Sequence, residues 1–251
     1  MSLLRTERLS KHFGDTRAVD GVDFRVNEGE FLSLVGTNGA GKTTLVNLIS
    51  AFLFPDSGRI FIGERDITYS PVDDRIRAGI ARSFQLVNLF DELTVLDNVA
   101  LAIFAREGKT KRIFALAERD VAVTAEALDL LAQFGLGVKA QALAGGLAQG
   151  ERKLLDVAVA YALRPKLLFL DEPTSGVSTR EKAQIMDTVS AVVRGGKITA
   201  VVIEHDMDVV FKYSDRVVVM HEGRFLADGP PEDIRRNQDV ATYLLGTDVA
   251  A

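Results

Sequence analysis

A chain of 251 residues with 47% hydrophobic and 26% charged content holds enough apolar material for one large core, or for a core carrying a subdomain. Its net charge of -5 gives no general basic field, so bulk electrostatics offer nothing to nucleic acid. The absence of cysteine excludes disulfides, thiolate metal sites and cysteine nucleophiles and suits a reducing compartment; no apolar run exceeds seven residues, far short of a membrane span. The N-terminal "MSLLRTERLSKHF" lacks the apolar stretch of a signal peptide, so the expectation is a cytosolic chain that reaches a membrane only through a partner.

Strand-type runs fall at residues 24–26, 31–35, 59–62, 80–84, 167–170, 198–203 and 216–220, with helical stretches between several of them, which predicts an α/β fold. From about residue 96 to 163 the pattern turns alanine-rich and helical, broken by the loops "REGKTKR" and "GLGVKAQALAGGLAQG". This reads as a helical subdomain, about 86–163, inserted into a core formed by about 1–85 and 164–251. The tail, from "PPEDIRRN" to "YLLG", predicts two short helices.

The stretch "FLSLVGTNGAGKTTLVNLIS" runs an apolar strand into G-x-x-x-x-G-K-[ST] and then a helix, the context a P-loop requires. Gly36, Gly39 and Gly41, with Asn38 and Ala40 between them, let the backbone curl so that N–H groups point at phosphate oxygens. Lys42 would span the β- and γ-phosphates, Thr43 would bind Mg²⁺ through its hydroxyl, and Thr44 would reach the α-phosphate. Downstream, "LLFLDEP" ends a buried strand in two adjacent carboxylates, a costly arrangement without a cation. Asp171 is expected to hold Mg²⁺ in the Walker B manner. Because successive side chains on a strand diverge, Glu172 would point elsewhere and orient or deprotonate the attacking water.

No N-K-x-D guanine-reading motif accompanies these elements, which counts against a GTPase. The set resembles the nucleotide-binding subunit of an ABC transporter, with motifs in that family's order across nearly the whole chain. Besides "GTNGAGKTT" and "LLFLDEP" there are "RSFQ" at the Q-loop position, "LAQGE" at the signature, "SGVS" at the D-loop and "IEHD" at the switch. The resemblance implies a P-loop (RecA-like) core with an inserted α-helical subdomain, ATP and Mg²⁺ as cofactors, and ATP hydrolysis. It also implies that Phe13 stacks on adenine, that Gln85 contacts Mg²⁺ and the attacking water, and that His205 contacts the γ-phosphate. The signature residues Ala148, Gln149, Gly150 and Glu151 would face ATP held by the opposite subunit, either a second copy or a paralogue.

The words "ARSFQLVNLFDELTVLDNV", "VIEHDMDVV" and "GRFLADGPPEDIRRNQDVATYLLG" are similar to the ATPase subunits of branched-chain amino acid importers, a subfamily that includes importers of urea and other amides. That implies separate permease subunits as partners, with the chain peripheral on the inner face of the cell membrane. Two positions depart from the family pattern: Ala148 stands where the signature usually has serine, and Ser178 where the D-loop usually has aspartate. "STRE" instead reads as a capping box, with Ser178 as N-cap and Glu181 at N3. A soluble ABC ATPase and a low-turnover nucleotide-dependent regulator remain the alternatives. His12 and His221 read as surface or turn residues.

Overall fold

The computed structural model describes residues 2–83, 89–109 and 120–244. The strands are β1 (Ser2–Phe13), β2 (Thr16–Val22), β3 (Arg25–Asn27), β4 (Phe31–Val35), β5 (Ser57–Ile62), β6 (Arg65–Asp66), β7 (Ile80–Arg82), β8 (Leu167–Asp171), β9 (Thr199–Ile203), β10 (Arg216–His221) and β11 (Arg224–Gly229). The helices are α1 (Lys42–Ile49), α2 (Val72–Arg77), α3 (Val95–Arg106), α4 (Val121–Gln133), α5 (Gln149–Ala162), α6 (Thr179–Gly195), α7 (Met207–Tyr213), α8 (Pro231–Arg236) and α9 (Gln238–Leu244).

The most apolar runs lie side by side in one sheet, ordered β11-β10-β4-β9-β8-β7, parallel except for the edge strand β11. Every residue of β4, β8 and β9 is buried, as expected of strands covered on both faces. The period-two alternation sorts their side chains between two cores. Leu168, Leu170, Ala200 and Val202 meet α3, α4, α5 and α6, while Leu167, Phe169, Val201 and Ile203 meet α1 and the second sheet. Leu34 pairs with Ile203 and Ile203 with Asp171, so β4, β9 and β8 end level with one another. Three connections therefore leave the sheet along one edge, where open α/β sheets place their ligands.

The second sheet is antiparallel, ordered β2-β1-β5-β6 with β3 paired to β1. Its β1 and β2, together with β6 and β11, lie outside the expected runs. They are half-exposed, and their polar residues interrupt any apolar run. β1 carries register shifts and Arg8 at φ 46°, which breaks its alternation. The expected run 80–84 forms a strand only to Arg82, and its last residue lies outside the described residues.

The helical stretch is knitted together by packing and charge. Phe134 meets Tyr161 edge to face at 5.7 Å, and Arg106 on α3 donates to Glu126 on α4 (2.7 Å) and to the Ala162 carbonyl of α5 (2.9 Å). The capping box expected at Ser178 and Glu181 opens α6, and Thr94 with Asp97 makes another at α3.

Candidate functional site

Residues 36–41 connect β4 to α1 with a backbone that side chains would obstruct. Gly41 has φ 104°, and a Cβ there would collide with the Ala18 carbonyl of β2. Gly223, in the turn between β10 and β11, donates its N–H to the Ala40 carbonyl at 3.0 Å and braces the loop from behind. α1 has no acidic residue in its first turn, so nothing on the helix competes for the positive end of its dipole. Its far end is held by Arg75, 1% exposed, whose guanidinium donates to the carbonyls of Leu48, Ile49, Thr68 and Ser70. Burial lowers the pKa of Arg75 to about 10.

Lys42, 6% exposed, folds onto its own loop and donates to the carbonyls of Gly36 (2.7 Å) and Thr37 (3.0 Å). Burial pulls its pKa below the ordinary lysine range, and the nearby Glu172 and Asp171 carboxylates pull the other way. Thr43 and Thr44 follow at the helix start, the first exposed and the second half-exposed. A cavity of about 360 Å³ above the loop is lined by residues 38–44 with Ala18, Glu172, Ile203 and His205. A second, of about 530 Å³, adds Glu204 and Met207.

The two adjacent carboxylates separate because the backbone turns between them. Glu172 has φ 49°, a left-handed conformation that costs a non-glycine residue about 1–3 kcal/mol and concentrates at functional sites. It is held there by its N–H bond to the Ile203 carbonyl (2.9 Å) and by Lys153, which donates to the Glu172 carbonyl (3.2 Å) and to Ser175 Oγ (3.0 Å). Glu172 Oε1 then lies 2.9 Å from His205 Nε2. Beneath His205, buried Glu204 accepts from Thr174 N (3.0 Å), Thr174 Oγ1 (2.7 Å) and His205 N (3.2 Å), joining the start of the D-loop to the switch. Asp171 faces another cation: its Oδ2 accepts from Arg82 Nη2 at 2.6 Å.

Sequence reasoning missed Arg82, Lys153 and Glu204. Arg82 stands inside the quoted word "ARSFQ", and a lone charge ending an apolar strand was its signal. The partners of Lys153 lie on other elements, and no spacing along the chain reveals them.

The remaining expected residues divide. Phe13 ends β1, 48% exposed, on the hairpin whose second strand touches the P-loop at Ala18. Gln85 lies outside the described residues. Ala148 is the N-cap of α5 and makes no side-chain cap; Glu151 accepts from Ala148 N (3.1 Å) and pairs with Lys139 (2.6 Å). The Gln149 side chain lies across Gly176 of the same chain's D-loop, and Gly150 is buried. Among the described residues, none of 148–151 lines either cavity at the P-loop.

The Asp171 carboxylate and the Thr43 hydroxyl are oxygen donors of the kind a hard divalent cation takes, and they would hold it here. Among the described residues no group of three or more His, Cys, Asp or Glu could hold a metal alone. An ion of the Mg²⁺ type is ordinarily bound through one or two protein oxygens plus nucleotide phosphates.

Residues 19–175 match the ABC transporter family. The chain is 36% identical over 250 residues, 97% of its length and 98% of the relative's, to the high-affinity branched-chain amino acid transport ATP-binding protein LivG of Salmonella typhimurium. It is 35% identical over 252 residues to BraF of Pseudomonas aeruginosa, which carries the same description, with 97% and 98% covered. An ATP-binding cassette of an ABC transporter, crystallised in its ADP conformation, superposes with a TM-score of 0.88 at 30% identity, covering 98% of this chain and 100% of that one. Motif order, site geometry and these likenesses agree, and the chain belongs to the ABC transporter family as an ATP-binding cassette, the ATPase of such a transporter.

Proposed function

We propose that the chain hydrolyses ATP to drive import of branched-chain amino acids or related amides through separate permease subunits, on the cytoplasmic face of the membrane. The observation that carries this reading is the convergence of Lys42, Glu172 and His205 on one cavity above a phosphate-cradling loop. The names of the LivG and BraF relatives support the substrate class.

In this reading ATP draws Lys42 away from the Gly36 and Thr37 carbonyls to its β- and γ-phosphates, while backbone N–H groups and the start of α1 take the remaining charge. Thr44 reaches the α-phosphate and Phe13 stacks on adenine. Thr43, Asp171 and Gln85 hold Mg²⁺, which when bound neutralises charge on the phosphates. Glu172 orients or deprotonates the attacking water, and His205, 2.9 Å away, fixes that carboxylate and contacts the γ-phosphate. Ala148, Gln149, Gly150 and Glu151 at the start of α5 stand at the family's signature position and in this reading complete the nucleotide site of a second ATPase subunit. Residues 86–163 act as a subdomain that carries this helix.

Permease contact is assigned to exposed apolar side chains, among them Phe52, whose ring lies 5.8 Å from the Arg82 guanidinium. Phe52, Phe54 and Tyr69 are 51%, 45% and 68% exposed. Phe90, 62% exposed, is held firmly because buried Asn98 bonds both its N–H (2.9 Å) and its carbonyl (3.1 Å). A low-turnover regulator is the second reading, supported by the missing hydroxyl at Ala148.

The test is steady-state ATP hydrolysis by the chain, alone and reconstituted in liposomes with its co-purified permease, external binding protein and a branched-chain amino acid. Stimulation by the full set is expected. Turnover indifferent to the permease would refute transport coupling, and absence of turnover in the full assembly would favour the regulator.

A further inference from the structure

Asp171 is a carboxylate at 4% side-chain exposure, at the end of a strand with no room for water to solvate it fully. Its bonded partner is Arg82, itself only 8% exposed, and the sheet explains why. β7 pairs in parallel with β8, with Arg82 opposite Phe169 and Ser83 N donating to the Phe169 carbonyl at 2.8 Å. The guanidinium thus reaches forward to the end of β8. One arm, Nη2, donates to Asp171 Oδ2 at 2.6 Å; the other, Nη1, donates to Asn47 Oδ1 at 2.5 Å. Asn47 lies on α1 one turn after Thr43, so the two share a helix face. A single planar fork therefore ties the end of β8 to the helix that carries the Thr43 hydroxyl.

We infer that Arg82 is a positioning residue for the metal-binding carboxylate. It commits one oxygen of Asp171, leaves the other for the cation, and fixes the spacing between Asp171 and Thr43. A guanidinium suits this task and an ammonium does not, because two directed donors on a rigid plane are needed to bridge two acceptors. The inference rests on the reading of Asp171 as a metal ligand. Outer partners of metal ligands typically change metal affinity by about 10- to 100-fold when removed.

The experiment titrates Mn²⁺ into the full chain loaded with a non-hydrolysable ATP analogue and reads bound Mn²⁺ by electron paramagnetic resonance. Analogue affinity in EDTA is measured in parallel. Arg82→Met is expected to raise the half-occupancy concentration of Mn²⁺ by about 10-fold or more, with metal-free affinity unchanged. Arg82→Lys should recover only part of the loss, and Asn47→Ala should show a smaller shift in the same direction. Since removing one partner of a buried ion pair can itself unfold a protein, Arg82→Lys and Asn47→Ala keep the test decisive if Arg82→Met does not fold. Wild-type occupancy in Arg82→Met, or full recovery by Arg82→Lys with Asn47→Ala unaffected, would overturn the inference. Asp171→Asn is the control: if it binds Mn²⁺ as wild type, the reading of Asp171 falls and the inference with it. If only the Arg82 and Asn47 variants do so, the inference alone falls.

Discussion

The edge of the parallel sheet and the start of α5 carry the two sets of residues to which nucleotide roles are proposed here, and they are built differently. At the sheet edge three charged side chains have partners within the chain: Lys42 on loop carbonyls, Asp171 on Arg82, Glu172 on His205. At α5 the helix start is braced from below, by Glu151 on Lys139 and Lys153 on the Glu172 carbonyl, while its N-cap is a bare methyl. The first region is held in place within one chain, with Lys42 resting on loop carbonyls that a phosphate would have to displace. The second, in the proposed reading, is a platform whose counterpart would lie on another subunit. Lys153 joins them, through its bond from α5 to the carbonyl of the strained Glu172.

The largest expected effect belongs to the braced edge. Glu172→Gln keeps size and hydrogen bonding but loses the base, so turnover should fall by about 10²- to 10⁴-fold while ATP affinity is retained. Rate and equilibrium binding measured on one preparation decide this, and undiminished turnover would remove Glu172 from the chemistry. Ala148→Ser sharpens the contrast from the other side. A serine hydroxyl there could donate to a partner's γ-phosphate; hydrogen bonds to charged groups are worth about 1.5–3 kcal/mol, so turnover of the assembled dimer should rise by about 10- to 150-fold. The same serine is a favourable N-cap, and thermal denaturation of the isolated chain should show α5 stabilised by about 1 kcal/mol. Arg75→Met removes the charged clamp on the C-terminal end of α1 and should lower unfolding free energy by about 3 kcal/mol, read by chemical denaturation. Ser178→Ala, which removes only the side-chain cap of α6, should cost about 1 kcal/mol and leave ATP binding unchanged.

The sheet edge was readable from the chain because its signals are local. Buried parallel strands are unbroken apolar runs, so the bounds of β4 were met residue for residue, and P-loop spacing places Lys42 and Thr43 without tertiary knowledge. The Ser178 cap was readable for the same reason, since its partner Glu181 stands three residues away. Where partners are distant the reading stopped short. Two carboxylates at 171 and 172 called for a cation, and nucleotide chemistry supplied Lys42 and Mg²⁺. In the fold Lys42 donates to loop carbonyls, and Arg82, 89 positions from Asp171, answers that carboxylate through strand register. The antiparallel strands β1, β2 and β11 escaped because half-exposed strands with bulges carry too many polar residues to stand out.

Gly150→Ala tests the division between the two regions most directly. Among the described residues a Cβ at Gly150 meets Ile185 Cδ1 at 3.6 Å and Glu181 Oε1 at 3.7 Å, ordinary contacts that leave the fold intact. Toward a second subunit the same methyl would keep the α5 backbone from a bound phosphate. With ATP affinity of the isolated chain and turnover of the assembled dimer measured together, affinity should stay at wild type while turnover falls by about 10-fold or more, the loss of roughly one charge-assisted hydrogen bond. Unchanged turnover, or a loss of ATP affinity in the isolated chain, would contradict a site shared between two subunits.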